Sequence, residues 1–354
     1  VIQRSYFDTQ DIDAQKRFLI ENIKQFKDTT EHKSDSLAAT NLYQNSSLGL
    51  SVEGSIDTIN SITQAQILDY ISHQYRPDQS YLILSGSFEN KAIMELVESE
   101  WGNWRPGNKK FIKPMDFHTE DLGELPRVIY RQKGLSQTHL VFAFALERGL
   151  KPPEIIQAEK AVTEEKEQKI DIDLNEIYKK ELDYTATLLL LNTILGGGLS
   201  SRLWTKTVEE EMLFSMVDSE IVRLIQTGHL QISGLIENSQ FSFGLESVLS
   251  VLEALKKTTV SINELSKAKE FLKGRSIMDQ EDLLSLAIWE AETFAGSGLP
   301  FELKDLLKAI DNVEAVAIRT MARNIFIPEK LAITTLGTAK ETRLVDKLIR
   351  KYLA

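Results

Sequence analysis

The sequence predicts an α+β protein built from two homologous domains, of which the first is incomplete in this chain. Three observations support this prediction. The length of 354 residues exceeds what one hydrophobic core usually organises. Amphipathic helical patterns alternate with short apolar runs typical of strands. A unit consisting of a helix, a proline, a strand and a glycine occurs twice, which indicates a duplicated domain.

The internal repeat depends on matched spacings between its two copies. Three residue pairs share an offset of 251 and a fourth has an offset of 253: Ile59 and Ile310, Pro77 and Pro328, Gly86 and Gly337, and then Phe18 and Phe271. On this pairing the second copy is complete from about residue 126, whereas the first lacks its opening strands and helices. Chance similarity between amphipathic helices is the alternative interpretation.

The first domain is expected to span residues 1–104 and to be mainly helical. Apolar side chains recur at helical spacing in four stretches: 11–27, 34–43, 63–75 and 90–101. Thr63 is a favourable N-cap for the third helix. Proline in Arg76-Pro77-Asp78 interrupts the pattern, and Tyr81-Leu82-Ile83-Leu84 is then expected to form a buried strand.

The second domain is expected to span residues 126–354, after a linker rich in proline, glycine and charge at 105–125. A stretch dense in Glu and Lys, at about 147–181, predicts an exposed insertion with a short helix. The regular elements expected in this domain are strands at 127–131, 139–144, 215–222 and 229–235, and helices at 184–195 and 201–211. The rest of the domain is expected to be mostly helical.

Composition and charge exclude several function classes. The formal net charge of −11 and the pI near 5.2 argue against a nucleic-acid partner, because phosphate binding needs a surplus of Lys and Arg. The absence of cysteine removes disulfides, thiolate catalysis and Cys-ligated metal sites. Since no apolar run approaches the roughly 20 residues that cross a bilayer, we expect no membrane span.

Histidines are the candidate nitrogen ligands for a metal, and there are five: His32, His73, His118, His139 and His229. They form neither a His-x-x-x-His nor a His-x-x-Glu-His pair, the spacings that place two imidazoles on one helical face. The segment ending at Glu31-His32 mimics the second spacing only superficially. We therefore expect no metal site in this chain.

A glycine run follows the predicted helix 184–195. Gly196-Gly197-Gly198 has no Walker-type Lys and no Gly-x-Ser-x-Gly elbow, so a helix C-cap and a tight turn explain it better than a phosphate cradle. Either Ser200 or Ser201 is expected to cap the next helix. The later run Glu209-Glu210-Glu211 is expected to lie on a solvated helix face.

The run Leu-Gly-Gly-Gly-Leu-Ser-Ser-Arg-Leu at 195–203 resembles the second-domain motif of the M16 (pitrilysin or insulinase-like) zinc peptidases, above all their bacterial, processing-peptidase-like branch. Further matches are Phe7-Asp8 through Asp28, Gly54 to Thr63, Tyr75-Arg76-Pro77-Asp78 and Ser85-Gly86. The resemblance implies M16-type (LuxS/MPP-like) domains with antiparallel sheets flanked by helices. It also implies that pairs of halves enclose a peptide chamber, and it assigns these motif residues to the substrate groove: Gly196, Gly197, Gly198, Ser200, Ser201 and Arg202.

The same resemblance implies where catalysis takes place in active members. These bind zinc through His-x-x-Glu-His and a Glu on the next long helix, but the matching helix here has Asn22 at the ligand position and Gln15 at a supporting Glu position. A one-residue gap would instead place Glu21 at the ligand position. In the second domain, the positions of an Arg and a Tyr that stabilise the oxyanion fall on Val208 and Ser215. The resemblance thus implies that no catalytic position is intact and that this chain holds no cofactor.

Three functions are compatible with these residues. The preferred hypothesis is a non-catalytic or degenerate M16 subunit, which forms half of a peptide-binding chamber as a homo- or heterodimer with another M16 subunit. An active zinc endopeptidase, whose His-x-x-Glu-His lies upstream of Val1, is the second. A scaffold subunit that binds no peptide, with 151–180 as its docking element, is the third. In each case we expect a soluble protein, of the bacterial cytoplasm or periplasm.

Overall fold

The computed structural model describes residues 6–28, 30–105, 117, 122–131, 134–157, 173–296, 298, 301–338 and 342–354, without the side chains of 26–28, 30–35, 295 and 342. Its strands are β1 (Arg127–Arg131), β2 (Gln137–Leu146), β3 (Phe214–Arg223), β4 (Gly228–Glu237) and β5 (Leu331–Leu336). Two π-helices, Trp204–Glu210 and Glu292–Gly296, accompany these α-helices: α1 (Thr9–Asp28), α2 (Thr30–Leu42), α3 (Ile56–Ser61), α4 (Gln64–Gln74), α5 (Asn90–Trp101), α6 (Leu174–Leu195), α7 (Phe241–Lys257), α8 (Ile262–Asp279), α9 (Leu283–Ala291), α10 (Leu303–Asn312), α11 (Ala315–Ile325) and α12 (Thr342–Tyr352).

The strands form one five-stranded sheet in the order β1-β5-β2-β4-β3. The α+β prediction is confirmed, but the sheet is mixed, because β1 runs parallel to β5 while the other neighbours are antiparallel. A parallel pair needs a long crossover rather than a hairpin, and here 199 residues separate Arg131 from Leu331. At the far side of the sheet, β3 has β4 as its one neighbouring strand among the described residues.

Both faces of the sheet are covered by helices. Alternate residues of β2 point to opposite sides, so Phe142 and Phe144 enter the main core while Ala143 and Ala145 face a smaller cluster. The main core packs the sheet against α6, α7 and α11, and α2 covers the opposite face by packing on β2 and β5. Because both faces are buried, β2 is continuously apolar rather than alternating.

Several element boundaries recur with the same offsets as the internal repeat predicted from sequence. Helices α4 and α11 begin and end 251 residues apart, and α1 and α8 begin 253 residues apart. The short helix at Pro77–Gln79 recurs at Pro328–Lys330 with the same offset of 251. On this correspondence α2 matches α9 and its following π-helix, and the segment before Gly86 matches β5.

The predicted strand Tyr81–Leu84 is wrong for this structure. The segment has no regular secondary structure and pairs with no strand among the described residues, and Tyr81, Leu82 and Leu84 are 60%, 50% and 44% exposed. Its residue types favour a strand, but a strand also needs a neighbour that accepts its backbone hydrogen bonds. By contrast, its counterpart β5 lies between β1 and β2 and is fully buried.

Most other element predictions agree with the structure to within a few residues. Helix α5 and strand β1 have the predicted bounds, and Thr63 caps α4 through the amide of Gln66. Helix α6 begins at Leu174, inside the stretch predicted as an exposed insertion, and buries Ile177 and Leu182. Most of the predicted linker, with His118, and residues 158–172 of the insertion lie outside the described residues. No helix among the described residues is long and apolar enough to cross a membrane.

Candidate functional site

The glycine turn after α6 is fixed directly to the edge of the sheet. Gly196 caps α6, and its carbonyl accepts a hydrogen bond of 3.3 Å from the Ser219 amide of β3. The Ser219 hydroxyl donates in turn to the Asn192 side chain at 2.8 Å. A Cβ at position 196 would lie 2.7 Å from the Ser219 nitrogen, so this close approach requires glycine. The predicted C-cap and turn are therefore present.

A groove of about 870 Å³ opens beside this turn. Its floor is formed by residues 216–221 of β3, and one end is formed by the three glycines at 196–198. Helix α8 contributes Phe271 and Arg275, and α9 contributes Ile288 and Trp289. The groove thus joins the sheet edge, the glycine turn and two helices in one concave surface, the usual form of a binding site.

The charged lining of the groove is predominantly acidic. Arg275 is the one cation among the lining residues, and it lies 3.9 Å from the carboxylate of Asp279. The other lining carboxylates are Asp218, Glu220 and Glu292. An excess of carboxylates in a concave surface produces a negative potential that attracts cationic ligands.

The serines and arginine of the glycine motif have different positions from its glycines. Ser200, Ser201 and Arg202 are not among the residues that line the groove. Ser201 is buried and caps the next helical segment, with its hydroxyl accepting from the Trp204 amide at 3.4 Å. Arg202 donates two hydrogen bonds of 2.7 and 2.8 Å to Glu264, and this guanidinium holds the pKa of that carboxyl below its usual range. Ser201 and Arg202 thus stabilise the turn through these hydrogen bonds.

The segment after Arg202 is a π-helix, where the sequence predicts an α-helix. A π-helix has hydrogen bonds between residues five apart, and here the Glu211 amide donates to the Lys206 carbonyl at 3.0 Å. The indole of Trp204 donates to Glu209 at 3.2 Å, and Lys206 lies 3.3 Å from Glu211. The carboxylates of Glu209 and Glu211 thus have polar partners, and all three residues of the Glu run are exposed, as the predicted solvated face requires.

Ser215 lies at an irregularity in the pairing of β3 with β4. Phe214 pairs with Ile236 and Met216 with Leu235, so Ser215 is the extra residue of a β-bulge. Its hydroxyl donates to the Leu235 carbonyl at 3.2 Å. Its neighbour Met216 is half-exposed and lines the groove.

Two buried polar clusters were missed by sequence reasoning. Tyr43, directly after α2, lies with its hydroxyl 3.1 Å from Nδ1 of His229 on β4, and both side chains are buried. Burial lowers the pKa of the His229 imidazole to about 4 and raises the pKa of Tyr43 well above its usual value. Elsewhere, buried Glu181 accepts from Arg223 at 2.6 Å and from Arg148 at 3.5 Å. No local pattern predicts either contact, since Tyr43 and His229 are 186 residues apart.

The sequence profile of the family described as the peptidase M16 inactive domain matches residues 61–272, which is more than half of the chain. The chain belongs to the peptidase M16 family. The family resemblance is confirmed by this match.

Relatives in the M16 family are similar over nearly the whole chain. The uncharacterized zinc protease YmxG of Bacillus subtilis is 24% identical over 323 residues, which covers 91% of this chain and 69% of that protein. An uncharacterized zinc protease of Mycobacterium tuberculosis is 20% identical over 340 residues, 96% of this chain and 70% of that protein. A peptidase M16 inactive domain from Pseudomonas fluorescens has the same fold, with a TM-score of 0.72, 17% identity, and coverage of 96% of this chain and 74% of that one. A chain of Complex III2 from Candida albicans has a TM-score of 0.74 at 16% identity, with coverage of 98% and 76%.

The four positions matched to M16 catalytic residues belong to separate parts of the structure. Gln15 and Asn22 lie on α1, seven residues apart and therefore on one face, and α1 packs against α2 and α3. Val208 lies in the π-helix, half-buried against the main core, and Ser215 lies on β3. Among the described residues, the main contacts of α1 are with α2 and α3, whereas those of β3 are with β4, α6 and the π-helix.

The donor set of the described residues does not fit the zinc of M16 peptidases. They contain no group of three or more His, Cys, Asp or Glu side chains that could hold a metal ion. His229 is occupied by Tyr43, and Nδ1 of His73 lies 3.0 Å from the carbonyl of Asp69 on its own helix. Neutral Asn22 supplies an oxygen but not the charge of a carboxylate ligand. The side chain of His32 lies outside the described residues.

Proposed function

We propose that this chain is a non-catalytic M16 subunit, which forms half of a peptide-binding chamber with a catalytically active M16 partner. The observation that carries the proposal is the groove beside the glycine turn. It combines an edge strand, an apolar helical wall and an acidic lining, and these features suit an extended peptide with basic side chains.

The edge of β3 supports backbone recognition of such a peptide. The amide of Ser219 points away from β4 and donates to the Gly196 carbonyl. Along an antiparallel strand, the amides of successive residues point alternately to the two sides. The amides of Val217 and Ile221, two residues to either side, are therefore expected to point into the groove. A peptide in extended conformation would add to this edge as a further strand, as in other cases of β-augmentation.

The substituted catalytic positions support a binding role rather than hydrolysis. In M16 peptidases a carboxylate at the position of Asn22 completes the zinc site, and an Arg and a Tyr at the positions of Val208 and Ser215 stabilise the oxyanion. Val208 supplies no hydrogen-bond donor, and the Ser215 hydroxyl already donates to Leu235. We therefore expect chemistry to take place in the partner.

The proposal is tested by photo-cross-linking within the groove. A photoreactive phenylalanine replaces Met216, and the control variant carries it at Val316, which is equally exposed on α11. The probes are two 12-residue peptides of the same apolar pattern, one with four Arg and one with four Glu. We expect cross-links at position 216 with the basic peptide and at least tenfold fewer with the acidic one. Equal cross-linking at both positions, or none at either, would refute peptide binding in this groove.

Elemental analysis separates the proposal from an active enzyme. The chain purified without chelators is expected to bind far less than one zinc per molecule and to leave the basic peptide uncleaved. One zinc per chain together with zinc-dependent cleavage would contradict the proposal and favour the endopeptidase. Failure of every peptide to bind would favour a scaffold subunit.

A further inference from the structure

Positive charge is concentrated in the C-terminal part of this acidic chain. Residues 315–354 contain eight Lys and Arg but three Asp and Glu, a net charge of +5, whereas the whole chain has a formal net charge of −11. Residues 1–314 therefore carry a net charge of −16. With charge separated in this way, one part of the surface attracts anions while the rest repels them.

Helix α12 presents three of these cations as one exposed stripe. Arg343, Lys347 and Arg350 are all exposed. Their spacings of four and three residues place them on the same helical face, along about 10 Å of the helix axis. On the opposite side of α12, Val345 and Leu348 are buried in the main core, which fixes the direction of the stripe toward solvent.

The stripe has no carboxylate partners among the described residues. None of its three cations forms an ion pair with a described Asp or Glu, whereas the adjacent Lys351 lies 2.8 Å from Glu246. Asp346 is the one acidic residue of α12, and it is exposed as well. A surplus of unpaired cations at this spacing produces a local positive potential.

The ends of two neighbouring helices extend this basic surface. Lys256 of α7 donates to the Leu353 carbonyl at 2.6 Å, and Arg323 of α11 donates to the Lys256 carbonyl at 2.8 Å. Lys257 follows on α7 and is paired with Glu253 at 2.6 Å. We call the surface formed by Lys256, Arg323 and the stripe of α12 the basic face.

The composition of the basic face distinguishes between kinds of anionic partner. Among the described residues of α12, no large hydrophobic side chain is exposed. Interfaces between proteins usually have an apolar core, from which Lys is depleted. Adsorption to anionic lipid headgroups instead depends on clustered Lys and Arg, without an apolar contact. A lipid surface therefore fits the basic face better than a protein partner does.

We propose that the basic face is a docking surface for an anionic lipid membrane. Docking is peripheral and electrostatic, because the apolar side of α12 is buried in the main core and does not enter the bilayer. The acidic remainder of the chain is repelled by the same membrane, and this repulsion selects one orientation. The groove is built from other elements, namely β3, the glycine turn, α8 and α9, so lipid and peptide contact different surfaces.

Vesicle sedimentation tests the proposal with the 354-residue chain. The probes are vesicles of phosphatidylcholine with about 30% phosphatidylglycerol, and vesicles of phosphatidylcholine alone. In about 100 mM NaCl, we expect the partition coefficient to be at least tenfold higher for the anionic vesicles. In about 500 mM NaCl this preference is expected to disappear, because salt screens the attraction between the basic face and the headgroups.

Two triple variants with the same change in net charge locate the contact. The stripe variant combines Arg343→Gln, Lys347→Gln and Arg350→Gln. The control variant removes three exposed cations from α1 and α5, with Arg17→Gln, Lys24→Gln and Lys91→Gln. Because all six side chains are exposed, far-UV circular dichroism is expected to stay unchanged in both variants. We expect the stripe variant to bind anionic vesicles at least tenfold more weakly and the control variant to bind like the parent chain.

Lysine acetylation reports the orientation of the bound chain without any substitution. A water-soluble acetylating reagent is applied to the chain with and without anionic vesicles, and peptide mass spectrometry gives the rate at each lysine. Lys347 is expected to react at least threefold more slowly on the vesicles, because the headgroups cover it. Lys24 and Lys91 are expected to react at the same rate in both samples.

Three results would overturn the proposal: equal partition into both kinds of vesicle, equal loss of binding in both triple variants, or an unchanged acetylation rate of Lys347. Binding of a single-stranded RNA of about 20 nucleotides, more tightly than the anionic vesicles, would assign the basic face to nucleic acid instead. None of these measurements depends on peptide binding in the groove, so the two proposals are tested separately.

Discussion

Protonation of His229 is expected to loosen the attachment of the first half of the chain to the second-domain sheet. The imidazole is 3% exposed, its Nδ1 lies 3.1 Å from the Tyr43 hydroxyl, and it also interacts with the Gln231 side chain. No carboxylate is among these partners to stabilise a cation. Burial therefore lowers the pKa of His229 to about 4, from an ordinary value of 6.5.

The sign and size of the effect follow from proton linkage. Above pH 6.5 the folded and unfolded states are both neutral at this residue, so His229 adds no pH dependence. As the pH falls from 6.5 to 4, His229 binds a proton in the unfolded state but not in the folded state, so the free energy of unfolding decreases. At pH 5 the loss is about 2 kcal/mol, and it levels off near about 3 kcal/mol below pH 4.

The assay compares urea unfolding of the parent chain and His229→Gln at pH 7 and pH 5. Carboxylates also titrate in this range, but they are shared by both proteins, so the difference between the two pH effects isolates His229. We expect the parent to lose about 2 kcal/mol more than the variant over this interval. Tyr43→Phe is the matched control, because it removes the hydrogen bond and keeps the buried imidazole. Parallel pH profiles for parent and variant, or an NMR titration of His229 near pH 6.5, would refute the reasoning.

The remaining predictions concern the buried ion cluster, the glycine turn and the groove. Glu181→Ala leaves Arg148 and Arg223 without their buried carboxylate. We expect the free energy of unfolding, measured with urea, to fall by about 3–5 kcal/mol. A decrease below about 1 kcal/mol would contradict this expectation and show that water replaces the carboxylate. Gly196→Ala places a methyl group against the Ser219 backbone, so it is expected to lower the free energy of unfolding by about 1–3 kcal/mol. The same substitution is expected to abolish peptide cross-linking at position 216, and unchanged cross-linking would contradict this role of the turn. The affinity of the groove for the basic peptide is expected to fall as the salt concentration rises. Fluorescence anisotropy of the labelled peptide between about 50 and 300 mM NaCl measures this affinity. An affinity that does not depend on salt would show that the acidic lining does not attract the peptide.

Local patterns in the sequence predict most helices of this fold, because amphipathic periodicity and capping are properties of neighbouring residues. Helix α5 and the Thr63 cap are examples. The strand expected at 81–84 shows the limit of such reasoning, since strand formation depends on partners that local sequence does not specify. The π-helix after Arg202 likewise depends on contacts between residues five apart, which the α-helical period does not anticipate.

The helix C-cap and turn at Gly196 could be predicted from sequence, because a motif fixes the local geometry there. The glycines at 196–198 line the groove, but their assignment to a substrate groove stays a prediction. Ser201 and Arg202, from the same motif, instead hold the turn in place. The wall contributed by α9 could not be foreseen, because it depends on how distant helices pack.

The placement of α2 on the second-domain sheet has a consequence for synthesis. Asn41 bonds to Ile333, a residue 292 positions later in the chain. At translation rates of about 5–20 residues per second, α2 leaves the ribosome roughly 15 to 60 s before β5 exists. During this delay the apolar face of α2, with Ala38 and Leu42, lacks one of the two strands on which it packs. The first half therefore cannot complete its packing until the second half has been made. A nascent-chain chaperone has a long interval in which to bind the first half.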